Sequence, residues 1–147
     1  MSLIPDKCIE SNDKRNLCVA SEKGKTFIIN NSSKLKIKKV KIDKCLSQKI
    51  GEKRCDYLMT IDDKSVLRAI YIELKGGNLS DAFKQLEGTI IYLKNEFKKY
   101  QIDARIVGSR DIPRFINNPS YLSLAKEVIP TGGKIIKATN KIYTENI

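Results

Sequence analysis

Residues 71–77 read YIELKGG, and the alternation around them decides how the chain folds. Apolar Ile70, Ile72 and Leu74 share one parity, while Tyr71, Glu73 and Lys75 share the other. Successive side chains of a strand point to opposite faces. The pattern therefore predicts a strand over residues 65–75, with a carboxylate and an ammonium side by side on one face. Gly76 and Gly77 end that strand where backbone or a ligand can come close. The period then changes. Leu79, Ala82, Phe83, Leu86, Ile90, Leu93 and Phe97 recur at intervals of three and four, the apolar stripe of an amphipathic helix. A helix is expected from Leu79 to near Tyr100, with Asn78 or Ser80 as its N-cap.

Upstream, RCDYLMTI (54–61) reads as a strand, followed by a turn at DDK. LKIKKVKI (35–42) mixes apolar residues with lysine as a half-exposed strand does. KTFIIN (25–30) is a short strand before the turn NNSS, and residues 4–15 suggest a short polar helix. Downstream, a strand is expected over 104–109, a loop with two prolines over 112–120, a helix over 121–129, and a strand in 132–139 after Gly132-Gly133. The order is that of one α/β domain spanning residues 1–147, a length that suits a single core.

Hydrophobic residues make up 41% of the chain, enough for a packed interior. No run approaches the roughly 20 apolar residues of a membrane helix. The opening MSLIPDKCIESNDKR lacks the apolar core of a signal peptide, so a cytoplasmic protein with no membrane partner is expected. The four cysteines, Cys8, Cys18, Cys45 and Cys55, form no CxxC pair, and no histidine completes a mixed zinc set. Their wide spacing gives an all-thiolate zinc site little support, and four reduced thiols are the expectation.

Lys and Arg number 28 against 17 Asp and Glu, a net charge of +11. A basic surface collects polyanions, of which nucleic acid is the commonest. Lys36, Lys38, Lys39 and Lys41, with Lys53 and Arg54, are the expected contacts to its backbone. The absence of histidine excludes His-based nuclease chemistry built from this chain alone.

Asp56 is the only acid in RCDYLMT. If its strand pairs with the next as a meander, Asp56 comes close to Glu73. Two converging carboxylates repel unless a cation sits between them, and hard oxygen donors suit Mg2+ or Mn2+. On an open surface, a Glu-x-Lys pair would be an ion pair worth about 0–1 kcal/mol. The apolar run RAIYI before it argues for burial instead.

Asp56, then Glu73-Leu74-Lys75, then a helix, resembles the PD-(D/E)xK nuclease superfamily. The resemblance rests on roughly residues 40–110. It implies a restriction-endonuclease-like core, a central mixed β-sheet flanked by helices in the order α-β-β-β-α-β. It also implies that Asp56, Glu73 and the Leu74 carbonyl hold Mg2+ or Mn2+, and that Lys75 is the catalytic lysine. Many members add a glutamate from the first helix, for which Glu10 is the first candidate here and Glu22 the second. Some carry Q-x-x-x-Y on the following helix. Gln85 fits its glutamine, but Thr89 stands at the fourth position and the tyrosine falls at Tyr92. Cys55 occupies the place of the family's proline.

The function expected is a metal-dependent endonuclease, DNA being the first substrate to consider. A homodimer would be an economical route to cutting both strands of a duplex. A toxin-like RNase or tRNase with an immunity partner is a second reading, and a non-catalytic nucleic-acid binder a third.

Overall fold

The computed structural model describes residues 2–74, 78–108 and 117–147. In chain order these form β1 (Ile9–Asp13), β2 (Leu17–Glu22), β3 (Lys25–Asn30), β4 (Ile37–Lys41), β5 (Tyr57–Asp63) and β6 (Val66–Glu73). Then come α1 (Leu79–Tyr92), β7 (Gln101–Val107), α2 (Pro119–Val128), β8 (Ile135–Ala138) and β9 (Ile142–Asn146). A mixed six-stranded sheet has the order β1-β4-β5-β6-β7-β8, and a second sheet has the order β2-β3-β9. Strands β4, β5 and β6 are an antiparallel meander, whereas β7 lies parallel to β6 and β8 parallel to β7. Parallel neighbours need a crossover, which α1 and α2 supply. No helix among the described residues is long and apolar enough to cross a membrane.

The alternation sorts side chains into two cores. Leu58, Tyr71 and Ala104 pack beneath Phe83, Leu86 and Ile90 of α1 and Leu124 of α2. Met59, Ile70 and Ile72, of the other parity, pack on Ala20, Phe27 and Ile29 of the small sheet. The molecule thus has three layers: helices, large sheet, small sheet. With both faces covered, β6 is buried from Ala69 to Glu73. Each large apolar side chain buried here contributes about 1.5–3 kcal/mol.

The two sheets are also joined by charge. Asp103 on β7 accepts from Arg68 (3.0 Å), Arg105 (3.3 Å), Gln101 (2.9 Å) and the Lys134 N–H (2.9 Å). Arg105 in turn pairs with Glu145 of β9.

Several expectations are corrected. Residues 4–15 are not a helix. A 3-10 turn at Asp6–Cys8 leads into β1, which pairs antiparallel with β4. Glu10, Ser11, Asn12 and Asp13 offer no apolar stripe to bury, so the segment instead takes an edge where one face meets solvent. The helix after Leu79 stops at Tyr92. Leu93 closes it, and a 3-10 turn (Lys94–Phe97) carries the last apolar residue. Two strands, β2 and β9, were not anticipated. The β2–β3 connection has positive φ at Lys23 and Gly24 (51° and 79°), the two-residue turn that matches strand twist. Finally, Cys8 and Cys45 form a disulfide, while Cys18 and Cys55 are free and buried.

Candidate metal centre

Tyr57 and Ile72 are the outermost registered pair of β5 and β6. The Asp56 N–H donates to the Ile72 carbonyl (3.1 Å), the residue already paired with Tyr57, so the regular ladder ends there. The Asp56 and Glu73 side chains line one cavity at this point. The antiparallel pairing of β5 and β6 brings the two chain segments to the same end of the sheet. The Leu74 N–H donates to Asp56 Oδ2 (2.7 Å) and fixes that carboxylate. The Asp56 carbonyl accepts from Ile42 (3.0 Å) and from Asp43 (3.4 Å), drawing the end of β4 to the same place.

These groups line a cavity of about 120 Å³ with Glu22, Lys23, Asp43, Lys44 and Gln85. One carboxylate oxygen each from Glu22, Asp43 and Asp56 lies within 4.8 Å of the others. Glu73 is fully buried and Asp56 is 8% exposed. Burial is the main reason the Asp56 carboxyl is pushed up to about 6. The Leu74 N–H opposes that rise, and the Glu22 charge adds to it.

α1 supports the site from behind. With its amide turned to suit its neighbours, Gln85 donates to Glu73 Oε2 (3.1 Å) and to the Asp81 carbonyl (3.2 Å). Thr89 Oγ1 accepts from the Cys55 N–H and donates to the Gln85 carbonyl, both at 2.9 Å. Thr89, where the family pattern has tyrosine, thus holds the backbone next to Asp56. Gly88 permits this approach, because a Cβ there would meet the Lys53 carbonyl at 2.6 Å.

Other expected site residues divide. Lys75, with Gly76 and Gly77, lies outside the described residues. Leu74 borders the cavity and its side chain is buried. Glu10 is not in the cluster. It is exposed on β1 and paired with Lys39 (3.1 Å), because that segment is a strand rather than a helix. Glu22, the second candidate, is in the cluster. Arg54 is 3% exposed and committed to structure. It pairs with Glu52 (2.8 Å), donates to the Lys53 and Ser47 carbonyls, and stacks on Tyr92 (4.3 Å). It is not available to a nucleic-acid backbone. Lys53 is exposed. The alternation of β4 separates its lysines. Lys39 and Lys41 lie over the Tyr57 ring (5.2 and 5.0 Å), whereas Lys36 and Lys38 line a second cavity.

Asp43, Lys23 and Lys44 were missed. For Asp43 the available signal was an acid immediately after the half-buried strand VKI. Nothing local indicated that the β2–β3 hairpin would bring Glu22 to it.

The donor set suits a hard cation. It consists of carboxylate oxygens, and Glu22 Oε2 is buried with no hydrogen-bond partner among the described residues. Such oxygens match Mg2+ or Mn2+ rather than a thiophilic metal.

No family model matches the chain, and neither a curated protein nor a solved structure is significantly similar to it.

Proposed function

We propose that the protein is a divalent-metal-dependent nuclease on a core resembling that of the PD-(D/E)xK superfamily. The observation that carries this reading is the meeting of Asp56 and Glu73 at the end of a meander, with Glu22 and Asp43 converging on the same cavity. The run β4-β5-β6-α1-β7 follows the family's β-β-β-α-β order. The family's first helix has no counterpart among the described residues, where β1, β2 and β3 precede the meander.

Asp56, Glu73 and Glu22 or Asp43 would hold Mg2+ or Mn2+. When bound, such an ion lowers the pKa of a water and offsets phosphate charge. Asp56 is set in place by the Leu74 N–H, and Glu73 by Gln85. Lys23 and Lys44 on the cavity wall give a phosphate an attractive rim. By resemblance, Lys75 stabilises charge as it develops on the scissile phosphate.

The test is a cleavage panel of single-stranded, duplex and branched DNA and of tRNA, with Mg2+, Mn2+ or EDTA. Asp56→Asn is expected to abolish cleavage. Lys75→Ala is expected to slow it by about 10²–10³-fold with unchanged affinity, as for a contact made mainly in the transition state. Cleavage that survives EDTA, or Asp56→Asn, would discard the assignment.

A further inference from the structure

The second cavity lies on the helix side of the large sheet, at the far end of β5 from Asp56. It has a volume of about 210 Å³ and is lined by Asn12, Lys36, Lys38, Thr60, Asp62, Phe97 and Tyr100. The register explains its chemistry. Asn12 and Thr60 each stand opposite Lys38, on either side of β4. The side chains of Asn12 and Thr60 make no hydrogen bond among the described residues, and Lys36 and Lys38 make no ion pair there. Lys39, their neighbour on the other face, is by contrast paired with Glu10. Asp62, the acid in the cavity, is engaged by the Tyr100 hydroxyl (3.1 Å). That bond holds the Tyr100 ring at the cavity wall, edge-on to Phe97 with centroids 5.0 Å apart.

Two ammonium groups, an amide and a hydroxyl without partners, and an aromatic wall are the parts that bind a nucleotide. The charges suit a phosphate. The rings suit the face of a base, and every base has one. A paired base keeps its faces against its neighbours in the stack. We propose that this cavity takes one nucleotide of an unpaired nucleic-acid strand, its phosphate on Lys36 and Lys38 and its base on the Tyr100 and Phe97 wall. Asp62 lies six positions along the chain from Asp56, roughly 20 Å at strand spacing, a few nucleotides along an extended strand. The inference rests on the nucleic-acid reading above and names its substrate class as single-stranded or splayed, but it does not depend on the chemistry at Asp56.

Binding of the full chain in EDTA to a labelled oligothymidylate, and to a duplex of equal length, tests this by fluorescence anisotropy. Lys36→Glu with Lys38→Glu should weaken single-strand binding at least tenfold and duplex binding far less. The single-strand salt slope should fall by about 0.7 per lysine. Tyr100→Leu should cost roughly five- to a hundredfold for the single strand, while Tyr100→Phe, which keeps the ring but not its bond to Asp62, should cost far less. Thymidine monophosphate should compete for the cavity, and inorganic phosphate should do so only weakly. Thermal melting of each variant checks folding, and the exposed Lys36 change serves if Tyr100→Leu does not fold. Equal losses on both oligonucleotides, unchanged affinity of a folded Tyr100→Leu, or equal competition by phosphate would each overturn the proposal. The cleavage panel separates the two readings. Cleavage with no role for this cavity leaves the nuclease without the pocket, and pocket-dependent binding without cleavage leaves the reverse.

Discussion

Asp56, just before β5, and Asp103, on β7, are buried aspartates on either side of β6, and their surroundings differ. Asp103 looks toward the small sheet and meets two guanidinium groups, an amide and a backbone N–H. Although burial works against it, those partners hold its carboxyl below the ordinary value, the Gln101 and Lys134 hydrogen bonds first and the arginine charges after them. Asp56 looks toward Glu22, Asp43 and Glu73, and burial pushes it up to about 6. Burial of the same side chain has opposite consequences, because one carboxylate meets hydrogen-bond donors and guanidinium charge and the other sits among carboxylates. A complete network is architecture. A crowd of buried carboxylates is a cost that the fold bears alone and a cation can relieve.

The largest effect is expected at the complete network. Asp103→Ala would leave Arg68 and Arg105 facing a buried void and should cost about 3–5 kcal/mol in urea unfolding. A loss under about 1 kcal/mol, the range of exposed pairs, would mean that Asp103 is no more structural than Asp56. Next in size, Mg2+ at about a hundred times its dissociation constant should stabilise the native protein by ~2.7 kcal/mol. Asp56→Asn should lose that shift, while any Asp103 variant that folds should keep it.

The two aspartates should also give opposite pH slopes. The folded state holds a proton on Asp56 more tightly than the unfolded state does, since its pKa lies near 6 rather than 3.8. In EDTA, stability should therefore fall as pH rises from about 4 to about 6, and Asp56→Asn should be more stable than the parent at pH 8 by on the order of 2 kcal/mol. Asp103, with its pKa depressed, contributes stability above the unfolded-state pKa of 3.8 that is lost as pH drops below it. Equilibrium unfolding across pH 3–8, with each aspartate changed in turn, reads both slopes. A parent more stable than Asp56→Asn at pH 8 without metal would remove the contrast. Smallest, Gln85→Ala deletes one hydrogen bond to Glu73 and should cost about 0.5–1.5 kcal/mol.

What could be read from the chain was what strand and helix periods control. The alternation at Ile70, Tyr71, Ile72 and Glu73 placed β6, and the stripe from Leu79 to Ile90 placed α1. Bringing the segments of Asp56 and Glu73 together needed only a short turn between two strands, which Lys64 and Ser65 make with positive φ. The small sheet was not legible. The inward positions of β2 are Cys18 and Ala20, too small to register as a buried stripe. β9 is parallel to β3 from the far end of the chain, a pairing that no local pattern encodes. The carboxylate cluster was legible to the same extent. Its pair on the meander was foreseen, while Asp43 and the choice of Glu22 over Glu10 depended on where the hairpin comes to rest.

The Cys8–Cys45 bridge spans 37 positions of sequence and so encloses β1 through β4 in one covalent ring. Closing a ring of that size removes conformational freedom from the unfolded chain, about 4 kcal/mol in the chain-entropy description. Cys45 is two residues from Asp43, so the ring also fastens the segment that brings Asp43 to the acidic cavity. Disulfides persist in oxidising surroundings and are scarce where glutathione keeps thiols reduced. The redox poise around the molecule therefore bears on two things at once: how much freedom unfolding regains, and how firmly one wall of the carboxylate cavity is held.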